Sequence, residues 1–234
     1  MNKLNIFLDK ATLFLKEISK SVLVFILYLA LSILLSTAFN PQITSNNFFV
    51  ANIFGILIEL IIAGTFVFIY RKRLFTDLKE YKNNYKKIMD TAFKNWIIGL
   101  IIMIISNIII SSFVGNIANN EELNRTLLLK TPIYAVVAMI IIAPITEEIL
   151  FRLSPRKAFT KKIPYLIYSA IFFGLMHILA SSSIIEILYI IPYSALGFFF
   201  AKSFYETDNI FASITTHMIH NTIAVIVAYI TMLG

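Results

Sequence analysis

Glu147 and Glu148 stand side by side at the end of an apolar run that begins near Ile133, and Arg152 follows four residues after Glu148. The stretch Ala135-Val136-Val137-Ala138-Met139-Ile140-Ile141-Ile142-Ala143 reads as a membrane-buried helix. An ionised carboxylate near the centre of such a helix costs at least about 2.5 kcal/mol on insertion scales, so two adjacent ones point to a function. At about 100° per residue the two glutamates leave the helix in different directions. Glu148 can meet Arg152 at i,i+4. Glu147 is then the unpaired carboxylate.

Other polar residues fall in apolar stretches at helical spacing. Phe173 and His177 are four apart, as are His217 and Asn221, so each pair shares one helix face. His220 lies about 100° round the wheel from Asn221 and is expected to matter less. A lone histidine in a helix is usually a packing residue; three of them in company with an unpaired Glu147 turn the reading towards chemistry. A carboxylate and an imidazole can hold a water between them and take its proton, which makes a nucleophile without serine or cysteine. A second imidazole and a carboxamide can donate to the oxyanion that forms when this water attacks an amide carbonyl. The set fits water-dependent hydrolysis of a peptide bond. Glu59, mid-segment with no charged neighbour at helical spacing, is either a functional acid or a protonated packing residue, and Glu186 is expected in the interface.

The elements that hold these residues are membrane helices. Of 234 residues, 59% are hydrophobic and 14% charged, with mean hydropathy +0.82; a soluble domain carries about 25% charged residues. The absence of cysteine removes disulfides, thiolate metal sites and a cysteine nucleophile. The net charge of +7 reflects the gathering of lysine and arginine on one side of a membrane protein rather than nucleic-acid binding. The expected fold is an all-α polytopic transmembrane helix bundle. Residues 1–20, with Lys3, Lys10, Lys16 and Lys20 among Leu4, Phe7, Ala11 and Ile18, read as an interfacial amphipathic helix. The bundle takes up 21–234.

Seven segments of 17 to 23 residues, Ser21–Phe39, Phe48–Tyr70, Trp96–Val114, Ile133–Phe151, Ile163–Leu179, Ile184–Phe200 and Ile210–Met232, suit a hydrocarbon core about 30 Å thick. Between the second and third, Lys79, Lys82, Lys86 and Lys87 alternate with Leu78, Tyr81, Tyr85 and Ile88, a pattern for a helix on an anionic leaflet. With the N-terminus cytoplasmic, 18 of the 20 basic residues fall inside, leaving only Arg125 and Lys130 outside. The protein is thus expected in a plasma membrane, with the site opening towards the cytoplasm. Its Ile-, Lys- and Asn-rich usage suggests a bacterial source. Pro144 is expected to kink the fourth segment and free backbone carbonyls near the carboxylates. His177, some 14 residues into its segment, is expected deeper than Glu147, His217 and Asn221.

Glu147-Glu148-x-x-x-Arg152, Phe173-x-x-x-His177 and His217-x-x-x-Asn221, in that order inside apolar segments, resemble the CPBP family of membrane endopeptidases. That family includes the type II CAAX prenyl proteases and bacteriocin-processing or self-immunity proteins. The resemblance covers about 144–225; the N-terminal half matches only as generic membrane helices, and the family has about eight spans. It implies that Glu147 and His177 activate the water, that His217 and Asn221 form the oxyanion hole, and that Glu148, Arg152 and Phe173 support them. It implies a glutamate-dependent mechanism with no cofactor. Zinc is the alternative, although no His-Glu-x-x-His motif occurs. The partners implied are membrane lipids and a peptide or membrane-protein substrate. Two other readings use the same residues: a non-catalytic immunity or scaffold protein, and a proton-coupled transporter, whose two related halves are not seen here.

Overall fold

The computed structural model describes residues 3–115, 117–179, 181 and 183–233, and its described elements are all helical. Helix α1, Lys3–Ala38, is unbroken over 36 residues. The expected interfacial stretch and first segment are therefore one helix. Val24, Phe25, Tyr28, Leu31 and Leu35, at helical spacing, turn inward onto the core. Met1, Asn2 and the side chains of Lys3, Leu4 and Phe7, part of the amphipathic reading, lie outside the described residues.

After one helical turn, Asn40–Ile43, helix α2 runs from Phe48 to Val114. Asn47 caps it, its side-chain oxygen accepting from the N–H groups of Phe49 and Val50. Gly115 ends it in a left-handed conformation, φ 78°, which a glycine adopts without steric strain. At Asn84 the backbone leaves helical geometry, φ −120° and ψ 24°. The second and third expected segments are thus two arms of one bent element.

Helix α3 is Asn119–Lys130 and α4 the helical run Pro132–Ala158. Helix α5 is Lys162–Ile178. A 3₁₀ turn, Ile185–Tyr189, leads into α6, Ile190–Thr207, and α7 is Ile210–Leu233. Among the described residues five helices are long and apolar enough to cross a membrane, Leu8–Ala38, Phe48–Val114, Pro132–Ala158, Ile185–Thr207 and Ile210–Met232. The chain is a multi-pass membrane protein. The seven expected segments do not appear as seven such helices, because two share α2 and α5 is 17 residues long.

Contacts define two ends of the bundle. At one end Arg73 pairs with Asp77 and Asp208, Lys162 with Glu206, and Arg156 lies over the Tyr205 ring. Asp77 also accepts the Ile210 N–H at 3.1 Å, which caps the start of α7. At the other end the Asn52 side chain accepts the Tyr134 N–H at 2.8 Å, and Leu128 and Ala135 pack on Val225 and Ala228. Between the ends, Ile149, Leu150, Phe151 and Leu153 of α4 pack among Ile58, Ile62 and Phe66 of α2, Leu166 and Phe173 of α5, and Phe204 of α6. Buried by its neighbours on several sides, α4 carries the two glutamates into the middle of the protein.

Candidate active site

Pro144 shapes α4 just before the glutamates. The Ala143 N–H bonds to the Ala138 carbonyl, five residues back, in a π-helical turn over Ala138–Ile142. The next bond in that register needs an N–H at 144, and proline has none. The Met139 carbonyl is thereby freed, and the Asn221 side-chain N–H donates to it at 2.8 Å. The expected release of a carbonyl by Pro144 is met by one of the expected site residues. A second π turn, Ile149–Leu153, follows the glutamates. Such wide turns interrupt the regular ladder and recur at functional sites.

Glu148 and Arg152 are both fully buried, with Arg152 Nη1 3.2 Å from Glu148 Oε1. That is the i,i+4 pair expected from the spacing. The same carboxylate oxygen takes a hydrogen bond from His217 Nδ1 at 2.9 Å, a contact 69 residues apart that no local spacing reveals. The Arg152 guanidinium lies 4.3 Å from the centre of the Phe173 ring and donates to the Gly197 carbonyl at 3.4 Å. A methyl at Gly197 would come 3.0 Å from the Phe173 ring, so the close approach of α6 to that ring leaves little room for a side chain there.

Tyr165 donates to the Arg152 carbonyl, and Phe173, eight residues further along α5, still meets Phe151 edge-on at 5.9 Å. Eight residues advance a helix about 12 Å, so α5 crosses α4 obliquely. That crossing brings His177 to the level of the other site residues and removes the depth mismatch expected from counting along parallel helices.

The hydrogen bonds fix which ring nitrogens carry protons. His177 Nδ1 lies 2.8 Å from the Phe173 carbonyl; a carbonyl only accepts, so Nδ1 is the donor and neutral His177 keeps an open lone pair on Nε2. Its ring stacks on Tyr193, centroids 4.6 Å apart. His217 donates from Nδ1 to the Glu148 carboxylate, stacks on Phe200 at 4.6 Å, and turns Nε2 towards Glu147 Oε2, 3.8 Å away.

One cavity of about 490 Å³ is lined by Glu147, His177, His217 and Asn221 together. Phe173 forms part of its wall, and Arg152 and Glu148 lie behind it. His220, expected off this face, also lines it; three residues from His217 is only about 60° round the helix, and the cavity is wide enough to take in both. Sequence reasoning missed Tyr193 and Phe200, although Tyr193, Gly197 and Phe200 stand at i, i+4 and i+7 on one face of α6. It also missed α3, whose Asn120, Asn124 and Arg125 form the cavity's far rim. Among the described residues, Arg125 is the one lysine or arginine that lines the cavity. The expected opening on the basic side is corrected: the cavity extends towards the opposite end. Glu186, expected in the interface, is buried in the 3₁₀ turn. Among the described residues no group of three His, Cys, Asp or Glu side chains is placed to hold one metal ion.

Residues 129–223 match the family model described as Type II CAAX prenyl endopeptidase Rce1-like, a span holding every motif residue from Glu147 to Asn221. No curated protein and no solved structure matches the chain. Residues 129–223 thus carry an Rce1-like domain match, in agreement with the resemblance of the three motifs to the CPBP family.

Proposed function

We propose that this membrane protein is an intramembrane endopeptidase that hydrolyses a peptide bond with a water activated by Glu147 and His177, without a metal. The observation that carries the reading is the one cavity that brings Glu147, His177, His217 and Asn221 together, with His217 Nε2 3.8 Å from Glu147 Oε2. In the reactive state we assign, Glu147 is the ionised base and His217 carries a hydrogen on Nε2 to donate. Both roles are then filled at once.

In that state the water lies between the Glu147 carboxylate and the open Nε2 of His177. Glu147 takes its proton as the oxygen attacks the amide carbon. The oxyanion accepts from His217 Nε2–H and from the second N–H of Asn221, whose first is held by Met139. Collapse breaks the C–N bond, and the proton on Glu147 passes to the leaving amine, giving a carboxylic acid and an amine. Glu148 and Arg152 act as positioning residues: Glu148 orients the His217 ring, and Arg152 balances the Glu148 charge. The substrate is a peptide or protein held at the membrane. With the basic end cytoplasmic, the catalytic cavity extends towards the outer side.

The test is cleavage by purified protein in lipid vesicles, in ¹⁸O-water, of peptides with and without a C-terminal prenylated cysteine. Cleavage that places ¹⁸O in the new carboxylate is expected, and the paired peptides report whether the lipid matters. No cleavage across a peptide library, with folded protein, would contradict the proposal.

A further inference from the structure

Glu147 faces two spaces. Besides the cavity that holds the histidines, it borders a small one of about 160 Å³ with Thr146, Glu59, Tyr28 and Tyr134 in its wall. Glu59, Tyr28 and Tyr134 also wall a third space of about 960 Å³ between α1, α2 and the start of α4. Besides apolar residues, that third space is lined by Ser32, Ser36, Thr44, Ser45, Asn46, Lys130 and Thr131, polar groups that a lipid tail would leave unsatisfied. A buried water needs two to four polar partners, and such a wall supplies them.

Tyr134 is held at the junction from two sides and shares both cavity walls with Glu59. Its N–H donates to Asn52, and its ring covers Gly55, where a methyl would come within 2.8 Å. An ionisable residue at this depth is costly unless it serves a pathway, and the chemistry assigned to Glu147, His177, His217 and Asn221 gives Glu59 no part.

We infer that Glu59 and Tyr134 line a water passage from the 39–47 and 130–131 side of the bundle to Glu147, separate from the cavity that takes the substrate. This rests on the hydrolytic reading, since a hydrolase sunk in a membrane consumes one water per turnover and needs a supply that a bound peptide does not block. Glu59 is a positioning residue here, holding water in line without touching the reacting atoms.

The chain has no cysteine, so a single introduced thiol reports its own position. In Ser32→Cys, a charged, water-soluble thiol reagent should react, and the bulky adduct should lower kcat by about tenfold or more while leaving KM for the peptide unchanged. Glu59→Leu should lower kcat in the same way, and Glu59→Gln, which still binds water, should retain most of it. A thiol at 32 that does not react, an adduct that leaves kcat unchanged, or a rise in KM in place of the fall in kcat would overturn the passage. The proposed function fails separately: a peptide-cleaving Glu147→Gln variant would refute it whatever the labelling shows.

Discussion

Asn221 is assigned two hydrogen bonds with different purposes, and Pro144 offers a way to separate them. Its first N–H satisfies the Met139 carbonyl that Pro144 frees, and its second is assigned to the oxyanion. Asn221→Ala removes both. A buried acceptor left unsatisfied costs about 1–3 kcal/mol, which is about 5- to 150-fold in the unfolding equilibrium. Loss of one oxyanion donor costs about 10²–10³ in kcat. Pro144→Ala restores an N–H near the orphaned carbonyl: in the π register it is the one at 144, and in a tightened α turn the one at 143. The stability loss from Asn221→Ala should therefore shrink by about 1 kcal/mol or more in the Pro144→Ala background, well outside the 0.3–0.5 kcal/mol scatter of independent sites. The activity loss should be the same in both backgrounds. The assay is a double-mutant cycle read twice, by reversible unfolding in detergent and by peptide cleavage. Additive stability losses would refute the carbonyl account. Activity regained with Pro144→Ala would refute the oxyanion role.

Arg152→Ala strands a fully buried carboxylate and removes the cation over Phe173, so folded yield and midpoint should fall by the equivalent of about 3–5 kcal/mol, with Arg152→Lys intermediate because it keeps charge but not the planar fork. A normal thermal melt for Arg152→Ala would show the pair to be dispensable. Gly174→Ala drives a methyl into Ser194 Oγ and to 3.0 Å from the Ile190 carbonyl oxygen, so it should destabilise by about 1–3 kcal/mol; Ser194→Gly should relieve part of that in a thermal melt. Reporters fused after Arg73 or Lys157 should read cytoplasmic and one at 117–130 external, and the reverse pattern would invert the proposed orientation.

What the sequence made legible follows from helix geometry and the cost of charge in hydrocarbon. Glu148 and Arg152 had to meet, since both lie on one face of one helix, and Phe173 with His177 and His217 with Asn221 share faces for the same reason. The Glu148–His217 bond joins α4 to α7 across 69 residues and depends on how these two helices pack on each other, so it was beyond reach. The continuity of α2 through 71–95 was hidden because a lysine-rich amphipathic stretch reads alike whether it joins two segments or continues both. The direction of the cavity was misread because basic residues report insertion, whereas the cavity is walled by α3 and by the 220–228 part of α7. His220 was set aside by a wheel that treats the inward face as narrow, and the cavity is wide. Tyr193 was readable in principle, one helical face with Gly197 and Phe200, but aromatics at that spacing in a membrane helix usually mean packing.

The central claim is that Glu147 is the base and that no metal takes part. The decisive measurement is peptide cleavage by purified wild type and Glu147→Gln, each before and after treatment with a tight zinc chelator. Glutamine keeps the size and most of the hydrogen bonding of glutamate but cannot take the water's proton. The account predicts no detectable cleavage by folded Glu147→Gln and an unchanged wild-type rate after chelation. Full activity in Glu147→Gln, or wild-type activity that the chelator removes and zinc restores, would contradict it.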